Sequence, residues 1–228
     1  MHARDVMTSP VITATPQTTL PEIVTLMLEH HISALPVIDG ALGLVGIVSE
    51  GDLIRRKEIG FEKTHSWWLS MFGNAAILAD EFVKSHGVTA AEVMTKKVFS
   101  ANADTPLWKI AETLEKEKIK RVPILHHGRV VGIVSRANLL QALSLHQQDA
   151  LARPTREDEA IREELLQVLK GESWSELSHV NIMVSDGVVH LWGSVRSDAQ
   201  RKALTVAAKG IGGVKDVVNH AHRSLTLL

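Results

Sequence analysis

The tetrapeptide Gly-Ile-Val-Ser stands at Gly46 to Ser49 and again at Gly132 to Ser135, and each copy closes a stretch that opens with Val-Met-Thr, at Val6 to Thr8 and Val93 to Thr95. The offset between the copies is 87 positions from Val6 to Val93 and from Pro36 to Pro123, and 86 from Gly46 to Gly132, so they align with a single deletion. Such a chain contains a duplicated domain, and whatever the unit folds into must be built twice. Two homologous units are expected to pack about a pseudo-twofold axis, with paired ligand clefts between them.

Each unit reads as β-α-β-β-α. In the first, Leu20, Ile23, Val24, Met27, Leu28 and Ile32 recur at helical spacing behind a Thr19/Glu22 capping box. In the second, Leu107, Ile110, Ala111, Leu114 and Ile119 repeat the pattern, with Thr105 as expected N-cap and Pro106 in the first turn. Short apolar runs follow, Ala34 to Ile38 and Arg121 to Leu125, which turn at Gly40 or Gly128 and return into Gly-Ile-Val-Ser. A last helix then starts at Ser49 or Ser135.

Val-Met-Thr, helix, Leu-Pro-Val, then Gly-Ile-Val-Ser-x-x-Asp resembles the cystathionine-β-synthase-type (CBS) domain over residues 3–56 and 90–146. The resemblance implies a tandem adenosine-nucleotide-sensing module, with the ligand between the two domains. It places the adenine edge at first-strand positions, Ile12 and Thr13 in the first copy and Phe99 and Ser100 in the second. Ser33, Ala34, Leu35 and Pro36, and in the second copy Lys120, Arg121, Val122 and Pro123, are the further nucleotide-binding positions it implies. A buried strand explains Ile12 and Phe99 equally well.

The Ser-x-x-Asp element carries chemistry of its own. A carboxylate such as Asp52 in a first helical turn can accept from two vicinal ribose hydroxyls, while Ser49 and free N–H groups at the helix start receive a phosphate. The plain alternative is a capping box that satisfies the helix's own donors. In the second copy Ser135 is followed by Arg136 and, at the carboxylate position, Asn138. An amide lacks the charge-assisted strength of a carboxylate, whereas Lys120, Arg121 and Arg136 favour phosphorylated ligands. Two unequal sites are expected, with tighter ribose binding at Asp52. AMP, ADP or ATP ranks first as ligand, ahead of S-adenosylmethionine or NAD.

Residues 57–89 exceed a plain connector and set Trp67, Trp68, Met71, Ala75, Leu78 and Phe82 at spacings near three and four, an amphipathic helix expected to cover its own domain pair or a second subunit, ahead of a bilayer interface. Composition changes at 147–156, a polar linker with Pro154. Beyond it, 157–228 reads as α-β-β-α-β. Ile161, Leu165, Leu166 and Leu169 mark a helix stopped by Gly171, and Val180, Ile182 and Val184 alternate before an Asp186-Gly187 turn. Val189 and Leu191 return. Ala199 to Ile211 forms a second helix ending at Gly212-Gly213, and a last strand covers Val214 to His220. Val-x-Leu-x-Gly at Val189 to Gly193 and Gly-Val-x-x-Val-x-Asn at Gly213 to Asn219 resemble the BON domain, which implies contact with a protein or a phospholipid surface. The fold class is therefore α+β, two CBS domains as a pseudo-twofold pair plus a small BON domain.

A net charge of −1 gives no overall basic surface for phosphates, so no nucleic-acid partner is expected. The absence of cysteine excludes disulfides, thiol nucleophiles and thiolate metal sites. Of twelve histidines, His30-His31, His126-His127 and His220/His222 are the clustered ones, yet adjacent pairs diverge and do not converge on a metal. Neither a phosphate-cradling glycine loop nor a nucleophile elbow occurs. The expected protein is a cytoplasmic, homodimeric, non-catalytic regulator; the competing readings are a dimerisation scaffold for a BON adaptor and, third, a histidine metalloenzyme.

Overall fold

A computed structural model describes residues 1–40, 43–54, 83, 86–148, 155–175 and 177–224. The tryptophan-bearing helix expected at 57–89 lies outside the described residues, apart from its last few positions. The chain divides into two compact units, Ile12–Val98 and a second made of Met1–Val11 with Phe99–Leu228. Each Val-Met-Thr segment thus belongs to the unit built on the other copy.

In the unit Ile12–Val98, α2 (Leu20–Glu29) follows Thr19, whose N–H and hydroxyl both donate to the Glu22 carboxylate at 2.8 and 2.9 Å. This is the capping box read from the sequence. Its Leu20, Ile23 and Met27 face the core, while Val24 and Leu28 are 40% and 69% exposed, so the apolar stripe is narrower than its sequence pattern. Strands β1 (Ala34–Asp39) and β2 (Gly43–Ser49) form an antiparallel hairpin, followed by α3 (Glu50–Ile54). A short helix, α4 (Ala90–Val93), is capped by Thr89 and Glu92, and beyond it Thr95 exchanges two backbone hydrogen bonds with Ile47, at 2.9 and 3.1 Å. Met94 joins Ile23, Leu35, Val37 and Val48 in one core. A Cβ on Gly46 would come within 2.8 Å of Met94 Cγ, so the glycine leaves room for the methionine.

The other unit repeats this plan. The first helix, α1 (Ala3–Val6), leads to Thr8, which exchanges hydrogen bonds of 3.0 and 3.1 Å with Ile133. A Cβ on Gly132 would lie 2.6 Å from Met7 Cγ. The sheet has the order β3 (Ala101–Asn102), β4 (Arg121–His126) and β5 (Arg129–Ser135), with α5 (Leu107–Lys116) before β4 and α6 (Arg136–Gln148) after β5. Three expectations are corrected here. Pro106, at φ −58° and ψ 140°, is extended and itself occupies the N-cap, so α5 starts at Leu107; the Thr105 hydroxyl instead accepts from the Asn102 N–H at 3.0 Å. Ile12, Thr13, Phe99 and Ser100 precede their strands, since pairing begins at Ala14 with Val37 and at Ala101 with Ile124. Finally, α6 runs through Gln147 to Gln148, into the stretch read as linker.

The C-terminal region has the expected order, with α7 (Arg156–Lys170), β6 (Val180–Ser185), β7 (Val188–Val195), α8 (Asp198–Lys209) and β8 (Asp216–Asn219). A further two-residue strand, β9 (His222–Arg223), pairs with β7. The first helix-facing side of the sheet buries Val180, Ile182, Val184, Val189 and Leu191 against Ile161, Leu165, Leu169 and Leu204. Asp186 and Gly187 both have positive φ, 51° and 77°, which is the mirror-image turn that matches strand twist. Helix α8 ends at Lys209 and not at Ile211, and β8 is shorter than the expected strand.

The opposite side of this sheet is not free. Met183 lies in the core of the second copy with Val6, Ile110, Leu114 and Val134, and Trp192 packs on the same core. Three nearly parallel rings continue that side, His220 stacking on Trp192 at 3.8 Å between centroids and on His190 at 5.8 Å. The C-terminal domain and the second copy are therefore one packed body.

Candidate functional site

The two Ser-x-x-(Asp/Asn) elements sit where a strand ends and a helix begins. Ser49 closes β2 and its N–H and hydroxyl both donate to Asp52 Oδ2, at 2.8 and 2.7 Å. Ser135 closes β5 and makes the same two bonds to Asn138 Oδ1, both 2.7 Å. At Ser135 the Asn138 N–H also donates back to the serine hydroxyl at 3.4 Å, which completes a reciprocal capping box, whereas at Ser49 only the bonds to the Asp52 carboxylate are made.

Each element has one further partner that the sequence reading missed. The Thr95 hydroxyl donates to Asp52 Oδ1 at 3.1 Å, and Asn138 Nδ2 donates to the Thr8 hydroxyl at 3.3 Å. Both threonines end the Val-Met-Thr motif. Its identity in the two copies was the available signal, because a threonine kept at the same place relative to the same element marks a shared polar role.

The copies differ in accessibility and charge. Asn138 is 3% exposed, whereas Asp52 is half-buried. A carboxylate offers about four acceptor positions, and Asp52 fills three of them, so one remains and the Thr95 hydroxyl can be exchanged for a ligand hydroxyl. Asn138 has its oxygen doubly used and its amide nitrogen committed to Thr8.

Other predicted positions distribute around these elements. Ala34, Leu35 and Pro36 are buried on β1, and Ser33 just before it accepts from the Glu50 N–H through its carbonyl at 3.1 Å. Val122 and Pro123 are buried on β4, with Arg121 half-buried at its start. Lys120, Ser100 and Arg136 are exposed, Arg136 opening α6 where an anion meets free N–H groups. Ile12, Thr13 and Phe99 are half-buried.

Away from these residues, a cavity of about 460 Å³ runs along α7 beside the segment Arg4 to Pro10. Arg4 lines it, paired with Asp104 and, at 3.6 Å, with Glu159, which line it too. Among the described residues no three His, Asp or Glu side chains are grouped to hold a metal ion. No described helix is long and apolar enough to cross a membrane.

Comparison with known proteins identifies the domains. The family model of the CBS domain matches residues 3–58 and 90–145, and that of the BON domain matches 157–222. The chain is 30% identical over 137 residues to the chloroplastic CBS domain-containing protein CBSX1 of Arabidopsis thaliana, covering 56% of each chain. It thus spans little more than half the length of that relative. An uncharacterised protein of Methanocaldococcus jannaschii is 28% identical over 154 residues, 63% of this chain and 91% of that one. Among solved structures, CBSX2 in complex with AMP superposes with a TM-score of 0.56 at 27% identity, over 64% of this chain and 98% of the other.

Proposed function

We propose that this chain, which belongs to the CBS-domain proteins and carries a BON domain after its CBS pair, is a non-catalytic regulator that binds an adenine nucleotide and passes its occupancy to the BON domain. The observation that carries this reading is the likeness to a CBS protein solved with AMP, matched over 98% of its length. The two capped Ser-x-x-(Asp/Asn) helix starts supply the local chemistry. In the unit Ile12–Val98, Asp52, with an acceptor position left over, takes a ribose diol beside Ser49; in the other unit, Ser135 with the exposed Arg136 and Lys120 takes a phosphate. AMP, ADP and ATP share every one of these contacts.

Calorimetric titration with an adenine-nucleotide panel tests the proposal. Saturation at about a hundredfold excess over Kd stabilises the folded form by about 2.7 kcal/mol. That corresponds to a rise in melting temperature of roughly 5–10 °C for a chain of this size. Asp52→Ala removes charge-assisted hydrogen bonds worth about 1.5–3 kcal/mol, roughly a ten- to hundredfold loss of affinity. Asn138→Ala is expected to lose less, and equal losses would contradict the asymmetry between the copies. If no nucleotide moves the melting temperature, the scaffold reading replaces the sensor.

Homodimerisation belongs to the same proposal. Leu140 and Leu143 on α6 are 67% and 56% exposed, which leaves an apolar strip for a second copy of the chain. Sedimentation at assay concentrations checks it, and a monomeric profile removes it.

A further inference from the structure

The BON domain holds the second copy through two buried polar side chains. Arg162 on α7 is 9% exposed, and its Nε donates to the Ile182 carbonyl at 2.8 Å while Nη2 donates to the Met7 carbonyl at 2.8 Å. Asn181 on β6 is 6% exposed, and its Nδ2 donates to the Val6 carbonyl at 3.2 Å and to Gln141 Oε1 at 2.8 Å. Val6 and Met7 directly precede Thr8, the residue whose hydroxyl accepts from Asn138. Gln141 lies three residues beyond Asn138 on the same helix. Both sides of the Asn138 element, its threonine partner and its helix, are therefore gripped from the BON domain.

The geometry is tightest at one peptide unit. The Met7 carbonyl and the Thr8 N–H belong to the same plane; Arg162 donates to the carbonyl, and the N–H donates to Ile133 at 3.0 Å. A planar peptide moves as a unit, so displacing Thr8 tilts the carbonyl that Arg162 holds. Burial makes the contact costly to leave unmade on either side. The guanidinium loses hydration to the point that its pKa falls to about 10, with Asp5 and Glu163 opposing the fall, and it stays charged at neutral pH.

We infer that Arg162 and Asn181 are positioning residues for the second nucleotide element, and that the BON domain is coupled to nucleotide occupancy through Val6, Met7 and Thr8. This rests on the reading of the helix start at Ser135 and Arg136, which Asn138 caps, as nucleotide-facing. A ligand that recruits the Asn138 amide or its helix start must shift or tighten the Thr8 contact, and linkage makes the effect reciprocal: loosening the BON grip alters nucleotide affinity by the same factor as nucleotide alters the grip.

The test uses the full chain in an Asp52→Ala background, so that AMP binding reports the second element. Asn181→Ala and Arg162→Met are each expected to weaken AMP about five- to tenfold, within the usual range of coupling, and Arg162→Lys to recover part of the loss. Hydrogen exchange on the unsubstituted protein gives a readout that a purely structural role would not move: AMP is expected to slow exchange in β6 and in α7. Should Arg162→Met fail to fold, Asn181→Ala and the exchange measurement still decide. Wild-type AMP affinity in the folded variants, with exchange in the BON domain unaffected by AMP, overturns the coupling alone. Absence of any AMP binding to the unsubstituted chain overturns the proposed function and the coupling together.

Discussion

Gly193→Ala is expected to destabilise the BON domain by about 2–6 kcal/mol while leaving the unit Ile12–Val98 unaffected. Gly193 sits on β7 opposite Val180 with φ of 127°, a conformation that costs a side-chain-bearing residue about 1–3 kcal/mol. Its missing Cβ would run into the backbone carbonyl oxygen of His179 and lie 3.0 Å from the carbonyl carbon and 3.1 Å from Val180 Cα. Backbone atoms of a paired strand cannot swing aside as the end of a flexible chain can, so overpacking adds at least about 1–3 kcal/mol. Together these reach roughly a third of the 5–15 kcal/mol that stabilises an ordinary domain, and more where the strand pairing is lost. Gly187→Ala is the control. Its φ is also positive, at 77°, but its Cβ would meet Lys215 Cγ at 3.0 Å, an exposed chain that can move, and the Gly213 carbonyl oxygen at 3.1 Å. The latter is a tight contact far milder than the collision with the His179 carbonyl, so a smaller loss is expected. Thermal unfolding followed by hydrogen exchange separates the two variants, and an unchanged melting profile for Gly193→Ala would refute the backbone argument.

Asp158→Ala is expected to destabilise the same domain by about 2–4 kcal/mol. The carboxylate is 2% exposed and ties two elements together. It accepts from the Thr155 N–H at 2.7 Å and hydroxyl at 3.0 Å, which caps α7, and from the Gly187 and Asp186 N–H groups at 2.7 and 3.2 Å, which closes the β6–β7 turn. Burial pushes the pKa of this carboxyl up, but the hydrogen bonds from Thr155, Gly187 and Asp186 outweigh it and hold the group below the usual carboxylate range. A pKa lowered in the folded state means that the unfolded chain binds the proton first. The stabilisation is thus complete above about pH 4 and disappears as the pH falls through the folded-state value. Asp158→Asn keeps the size and loses the charge, and so should flatten this acid limb. Denaturant titrations between pH 7 and pH 2 would show it, and an acid limb of wild-type steepness in the variant would argue against the assignment.

What was legible in the sequence was local or repeated. The Thr19/Glu22 box, the Asp186-Gly187 turn and the α-β-β-α-β order each follow from a few neighbouring residues whose conformational demands leave little choice. The Ser49/Asp52 and Ser135/Asn138 elements were found because they occur twice. Thr8 and Thr95 were quoted as part of a motif but not as partners of those elements, since a repeat shows that two segments do the same job without showing which copy each one serves. Arg162 was silent for a different reason. It lies in a run of charges on α7 that reads as a solvated face, and only the docking of another domain buries it. Asn181 and Met183 alternate with the inward Val180, Ile182 and Val184, so the pattern assigns them to water, whereas the sheet is covered on both sides. The helix-end errors at Pro106 and Ile211 are single-turn matters that periodicity does not resolve.

The exchange of Val-Met-Thr segments sets a constraint on dissecting this molecule. Severing the chain at the repeat boundary near residue 89 would yield pieces that each carry the other's missing wedge, Met7 on one and Met94 on the other, with Gly132 and Gly46 left facing empty notches. On the ribosome, likewise, Met7 and Thr8 must wait until Gly132 and Ile133 have emerged before finding their seats, a long-range closure that places completion of the second half late in folding.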